Sequence, residues 1–275
     1  MKMIHHPNKT KNTKMEKIAL ITGGSSGIGL AIAKKLLEQG DYRVVSVSRN
    51  QEKIDRALRE FPELKGRLEF IRGDVSSPKS CAKIAAQIER DHGVLHALVN
   101  NAGIVAWGGM EAVTNAQWEE ILGINLSGPF YLVKALLPLL KKARGASVVN
   151  ISSIASKSPG TSVAYSVSKA GLDMLTEYLA GDLGPYQIRV NSINPGLVKT
   201  NLHMDNEVFD DEELYSEMLE KAVSRYPLGR IGRAEDVAST AAFLLSDEAS
   251  WITGAILKVD GGTTLHNELI PPKEV

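Results

Sequence analysis

Short apolar, β-branched runs recur along this chain, each followed by a polar turn and then by a stretch with apolar residues at helical spacing. The first run, Lys17 to Ile21, leads through a glycine-rich turn into a helical pattern from Leu30 to Gln39, which Gly40 stops. Further strands are read at Arg43 to Val47, Leu68 to Ile71, Ala97 to Val99, Val148 to Ile151, Ile188 to Ile193 and Ala255 to Val259. Between them lie helical patterns through Cys81, Ile84 and Ile88, from about Ala116 to Lys142, from Ala164 to Asp182 and from Ala234 to Leu245. Strands that alternate with helices predict an α/β fold: a single doubly wound domain with a parallel seven-stranded sheet covered on both faces. That domain is expected over residues 15–265, between a Lys-rich, disordered tail at 1–14 and a C-terminal tail at 266–275.

Composition narrows the function. The 32 basic and 32 acidic residues cancel, so no nucleic acid is expected as the main partner. Cys81 is the only cysteine, which leaves no internal disulfide and no thiolate cluster for a metal. A cytoplasmic setting is the expectation. The most apolar window, Phe130 to Leu140, is too short to span a membrane and contains Lys134, so no membrane partner is expected.

Candidate chemistry sits at the carboxyl ends of the strands. Thr22 to Gly29 (TGGSSGIG) stands between a strand and a helix, where glycines let a backbone approach a pyrophosphate against the helix N-terminus. The second strand ends in Ser48-Arg49-Asn50, where an NAD-binding unit expects an acid for the ribose 2′-hydroxyl. A guanidinium there pairs with a 2′-phosphate instead, which points to NADP(H) and makes NAD(H) the weaker fit. Tyr165 and Lys169 are four apart and share one helix face. A phenol beside an ammonium is a proton donor and acceptor for an alcohol/carbonyl pair, with the positive charge expected to lower the tyrosine pKa. Asn125 interrupts a long helical pattern, which fits a distortion, a polar task or a tolerated Asn equally. From Asp205 to Glu220 there are eight acids without an intervening Lys or Arg, a candidate substrate lid or simply a solvated acidic face.

With these motifs in view, the chain resembles the short-chain dehydrogenase/reductase family from roughly Glu16 to Gly262. The resemblance rests on TGGSSGIG from Thr22, Asp74-Val75, NNAG from Asn100, Asn125, Ser153, YSVSK from Tyr165 and PGLVKT from Pro195. It implies Tyr165 as the acid/base, Lys169 holding a ribose, Ser153 polarising the substrate oxygen, and Asn125 supporting a water linked to Lys169. It also implies cofactor contacts at Gly23, Ser25, Ser26, Gly27, Ile28, Gly29, Ser48, Arg49, Asn50, Asp74, Val75, Asn101, Ala102, Gly103, Pro195, Gly196, Val198 and Thr200. The family usually places its serine thirteen residues before the tyrosine, which is Ser152 here; alignment from the strand gives Ser153, preferred because register shifts less readily than loop length. The implied activity is hydride transfer between a nicotinamide and a small-molecule secondary alcohol or ketone, in a homotetramer. Reductases of 3-oxoacyl carrier proteins and glucose dehydrogenases are the alternatives within that class. A non-catalytic NADP(H)-binding sensor or scaffold is the alternative outside it.

Overall fold

The computed structural model describes residues 16–265 apart from 159, 161, 201, 203–205 and 207–210. The two tails read from the sequence, and much of the acidic stretch after 200, lie outside the described residues. The sheet is formed by β1 (Lys17–Thr22), β2 (Tyr42–Ser48), β3 (Leu68–Arg72), β4 (Ala97–Asn100), β5 (Ser147–Ile151), β6 (Arg189–Pro195) and β7 (Ile256–Val259). All pairings are parallel, in the order β3-β2-β1-β4-β5-β6-β7. This is the Rossmann-type doubly wound architecture expected from the alternation. The order reverses between β1 and β4, and a crevice opens there at the carboxyl edge of the sheet.

The helices are α1 (Gly27–Gln39), α2 (Gln51–Glu60), α3 (Pro78–His92), α4 (Asn115–Leu122), α5 (Gly128–Lys142), α6 (Val163–Leu183), α7 (Glu212–Ala222) and α8 (Ala234–Leu245). Successive strand residues face opposite sides, so the sheet feeds two cores. Leu20, Leu98, Val148 and Val190 pack with Ile84 and Ile88 of α3, Leu132, Leu136 and Leu140 of α5, and Leu183 of α6. Ile21, Val99 and Val149 pack on the other face with Ile32 and Leu36 of α1 and Ala238, Ala242 and Leu245 of α8. Local signals set the ends: Gly40 and Gly93 close α1 and α3 in the left-handed region, and Ser77 caps α3 by accepting from the Ser80 N–H.

Three elements differ from the sequence reading, one being α7, a helix in the stretch read only as an acidic lid or solvated face. The helix expected over 116–142 is broken at Gly123–Ser127 by a π-helical turn that contains Asn125. On length and composition the rod from Asn115 to Lys142 is apolar enough to cross a membrane. It packs as a core helix, with Leu132, Leu136, Leu139 and Leu140 buried. Helix α2 escaped the pattern because only Ile54 and Ala57 of its ten residues are buried.

Candidate active site

A cavity of about 660 Å³ runs along the carboxyl ends of β2, β1, β4, β5 and β6. Its floor at the switch point is pinned by Thr22, whose Oγ1 accepts from the N–H groups of both Asn101 and Ala102 at 2.9 Å. Asn101 Nδ2 donates in return to the carbonyl oxygens of Thr22 and Gly23. Gly23 has φ +69°, and a side chain on it would press within 2.9 Å of Asn101 Nδ2. Gly29 is tighter still, since a Cβ would fall 2.4 Å from the Gly23 carbonyl oxygen. The loop therefore lies flat against the start of α1 because nothing larger than hydrogen fits at these positions.

At one end of the cavity, Ser25 and Ser48 share a hydroxyl hydrogen bond of 3.0 Å that ties the loop to the end of β2. Arg49 stands beside them, half-exposed, its guanidinium 4.0 Å from the Glu120 carboxylate. Asn50 caps α2 by accepting from the Lys53 N–H, and the lysine side chain joins Arg49 in the cavity wall. Lys53 was missed from the sequence: the Asn three residues before it was the available signal, but the polar stretch showed no helical period.

At the other end, β5 runs out into Ser152 and Ser153, and α6 presents Tyr165 and Lys169. Strand alternation sends the two serines in different directions. Ser152 is buried and donates to the Lys169 carbonyl oxygen at 3.2 Å. Ser153 lines the same cavity as Tyr165, and its Oγ accepts from the Ala155 N–H. Lys169 is buried, donates from Nζ to the Ile151 carbonyl oxygen at 2.8 Å, and lies 5.5 Å from the Tyr165 ring centre.

The electrostatics correct one expectation. Burial raises the Tyr165 pKa above its ordinary value, opposed by the nearby Ser153 hydroxyl; the ammonium does not bring it down as expected. Lys169 is the group brought toward neutrality, lowered to about 8 by desolvation and held up by the charge of Asp173. Asp173 is itself buried and accepts from Ser192 Oγ at 3.1 Å and from Asn194 Nδ2 at 2.8 Å. Asn194 Nδ2 reaches on to the Ser153 carbonyl oxygen.

Most of the expected residues meet in this one cavity: Gly23, Ser25 to Ile28, Ser48 to Asn50, Val75, Asn101 to Gly103, Ser153, Tyr165, Lys169, Pro195, Gly196, Val198 and Thr200. Gly29, Asp74 and Asn125 do not line it. Gly29 acts in packing. The Asp74 carboxylate accepts from the N–H and hydroxyl of Ser76. Asn125 clamps the loop after β4: its Oδ1 accepts from the Ile104 N–H, and its Nδ2 donates to the Ile104 carbonyl oxygen and to Ser168 Oγ. It comes near Lys169 only across Gly103, where a Cβ would meet Asn125 Oδ1 at 3.4 Å and Lys169 Nζ at 3.6 Å. No sequence pattern pointed to Tyr226, which enters the wall from a distant loop and accepts from the Leu197 N–H at 2.7 Å.

A short-chain dehydrogenase/reductase family profile, described as "Enoyl-(Acyl carrier protein) reductase", matches residues 23–264. The chain belongs to the short-chain dehydrogenase/reductase family. It is 32% identical over 251 residues to 3-oxoacyl-[acyl-carrier-protein] reductase FabG of Thermotoga maritima, covering 90% of this chain and 98% of that one. It is 35% identical over 252 residues to the NADP-dependent (R)-specific alcohol dehydrogenase of Lentilactobacillus kefiri, covering 90% and 96%. Ligand-free aldohexose dehydrogenase of Thermoplasma acidophilum superposes with a TM-score of 0.83 at 32% identity, covering 94% and 98%. As a short-chain dehydrogenase/reductase, this protein is an oxidoreductase that uses a nicotinamide cofactor and acts on small-molecule carbonyl or alcohol substrates. The residues present fit such a cofactor: a side-chain-free cradle at Gly23 and Gly29 by the α1 N-terminus, two cations beyond it, and the Tyr165–Lys169 pair opposite.

Proposed function

We propose that this protein is an NADP(H)-dependent oxidoreductase that interconverts a secondary alcohol and its ketone, with Tyr165 as the acid/base. The observation that carries the reading is Ser153 and Tyr165 set beside a buried Lys169 in one cavity, at one end of which these three stand while the other end carries Arg49 and Lys53. When bound, the nicotinamide supplies or takes up the hydride. The Tyr165 hydroxyl donates its proton to the substrate oxygen as that oxygen gains charge, and takes it back in the reverse direction. Ser153 hydrogen-bonds the same oxygen and holds it against the tyrosine. Lys169 places positive charge beside the phenol as its proton leaves, and Asp173 keeps that lysine charged.

Arg49 and Lys53, with the Ser48 hydroxyl and the Asn50 cap, form the site for a 2′-phosphate. A charge-assisted hydrogen bond of this kind contributes about 1.5–3 kcal/mol, roughly tenfold to over a hundredfold in affinity. The protein is expected to act as a homotetramer in a cytoplasmic setting.

The test is fluorescence titration with NADPH and NADH, together with turnover of Tyr165→Phe. The parent should bind NADPH more tightly, and Arg49→Ala should weaken NADPH while leaving NADH nearly unchanged. Tyr165→Phe should keep cofactor affinity and lose turnover by about 10² to 10⁴. Tighter NADH binding in the parent would end the NADP(H) assignment. A phenylalanine variant within about threefold of the parent would end the acid/base assignment.

A further inference from the structure

Strand β6 turns from apolar to polar as it nears the cavity. On the face that packs against α6 it carries Val190, then Ser192, then Asn194, all buried. Helix α6 changes in the same sense, from Leu183 and Leu179 to Thr176, Asp173 and Lys169, again all buried. Apolar side chains would fill this space without a desolvation cost, whereas an amide and a carboxylate must find partners there. They find them in one another and in the turn that bears Ser153.

Asn194 Nδ2 has three oxygens within reach: Asp173 Oδ2 at 2.8 Å, Ser156 Oγ at 2.9 Å and the Ser153 carbonyl oxygen at 3.1 Å. The carboxylate and the carbonyl can only accept, so the nitrogen of the amide must face them. The amide oxygen accepts from Ser192 Oγ at 2.9 Å.

The backbone ladder between β5 and β6 ends where the Ser152 N–H donates to the Ile193 carbonyl oxygen at 2.8 Å. Ser153 is the first residue beyond it. Its carbonyl oxygen accepts from the Ser156 N–H, which closes a short 3₁₀ turn, and from Asn194. Asn194 holds the far end of that turn as well, through Ser156 Oγ. The side chain thus carries the strand pairing on past its last rung and fastens the turn to the helix of Tyr165 and Lys169. With Ser153 Oγ accepting from the Ala155 N–H at 3.1 Å, the serine is gripped by both its backbone and its hydroxyl.

We propose that Asn194 is the positioning residue of Ser153: held by Asp173, it sets where the serine hydroxyl stands relative to Tyr165, and so how well the two share one substrate oxygen. The proposal rests on the role given to Ser153 above and deepens it. Asn194 is buried and does not line the cavity, so it acts on turnover only through other groups. An effect routed through Asp173 and Lys169 would move the alkaline limb of kcat/KM and would persist without the Ser153 hydroxyl; an effect routed through Ser153 would do neither.

The experiment is a double-mutant cycle on the intact enzyme, with NADPH as reductant and the fastest of cyclohexanone, ethyl acetoacetate and diacetyl as the ketone. Asn194→Ala removes the donor, and Asn194→Ser is the milder change that keeps a short one. NADPH affinity by titration and the thermal transition should be retained. At the same time kcat and kcat/KM should fall together by about 10- to 100-fold, the scale of a small misplacement in a site. In a Ser153→Ala background the same substitutions should cost no more than about threefold, because the group they position is already gone. Losses that multiply in that background would overturn the proposal, as would parent-level turnover in a folded Asn194 variant. Loss of the thermal transition in both variants would overturn it too, since Asn194 would then hold the whole fold rather than one serine. Parent-level turnover in Ser153→Ala, or no turnover of any of the three ketones by the parent, would instead overturn the reading on which the proposal rests.

Discussion

Replacing Asp173 by Asn should make Lys169 lose its proton at lower pH. The two residues are one helical turn apart on α6 and both are buried. Side chains so spaced lie about 6 Å from each other. Unit charges at that distance interact by about 3 kcal/mol at an effective dielectric constant near 20. The substitution conserves shape, and the hydrogen bonds can be rearranged: the new amide oxygen accepts from Asn194 Nδ2, and the amide N–H donates to Ser192 Oγ. The Ser192 proton then serves Asn194 Oδ1, an acceptor it already reaches at 2.9 Å. What disappears is the charge. Lys169 stands at about 8 against an ordinary 10.5, so its protonated form is penalised in the folded state. The unfolded chain holds more protons between those two values, and stability must therefore rise as pH climbs from about 8 toward 10.5, by about 3 kcal/mol in all. In Asp173→Asn that rise should begin at lower pH. The alkaline limb of kcat/KM for ketone reduction should move the same way, since that profile reports groups of the free enzyme. Thermal melts and kcat/KM measured across the same alkaline range provide the test. Superimposable curves for parent and variant in both would refute the control of Lys169 by Asp173.

Three further outcomes follow from the geometry. Ser153→Ala should lower turnover strongly while Ser152→Ala acts weakly through its bond to the Lys169 carbonyl oxygen, and one kinetic comparison ranks them. Gly29→Ala, whose new methyl carbon would fall 2.4 Å from the Gly23 carbonyl oxygen, should lose cofactor affinity by titration because the loop must move to make room. Asp236 accepts two hydrogen bonds from Arg230 and one from the Arg233 N–H, which hold its pKa down at about 2. Its contribution to stability is present above the ordinary carboxylate value and is lost as pH falls through about 2, so Asp236→Asn should flatten that part of an acid-denaturation curve.

The sheet was legible because buried parallel strands are continuous apolar runs, and all but β5 are followed within a few residues by a glycine, an amide or a proline. Helix α2 was hidden by the same logic: it lies on the surface with two buried residues and no stripe to read. The choice between Ser152 and Ser153 turned on side-chain direction at the end of β5, which a one-residue uncertainty in loop length obscures. Direction of charge effects was harder still. Spacing alone put an ammonium beside a phenol, but the depth of burial decides which of the two shifts, and depth is set by β5 and the loops packed over α6. Tyr226 belongs to the cavity through a contact 29 residues away in the chain, to which no local pattern points.

The π turn at Gly123–Ser127 does more than seat Asn125. One residue advances an α-helix by 100°, so a turn that takes in one extra residue rotates everything after it by that angle about the axis. Helix α4 packs on α6, whereas α5 packs on α3. The rod from Asn115 to Lys142 thus works as two cams set out of phase on one shaft, each presenting its apolar side to a different neighbour. Deleting a single residue from that turn would straighten the rod and bring the cams into phase. Leu132, Leu136 and Leu140 would then swing away from α3 while α4 stayed where it is, an error at one position felt by every later residue of the helix.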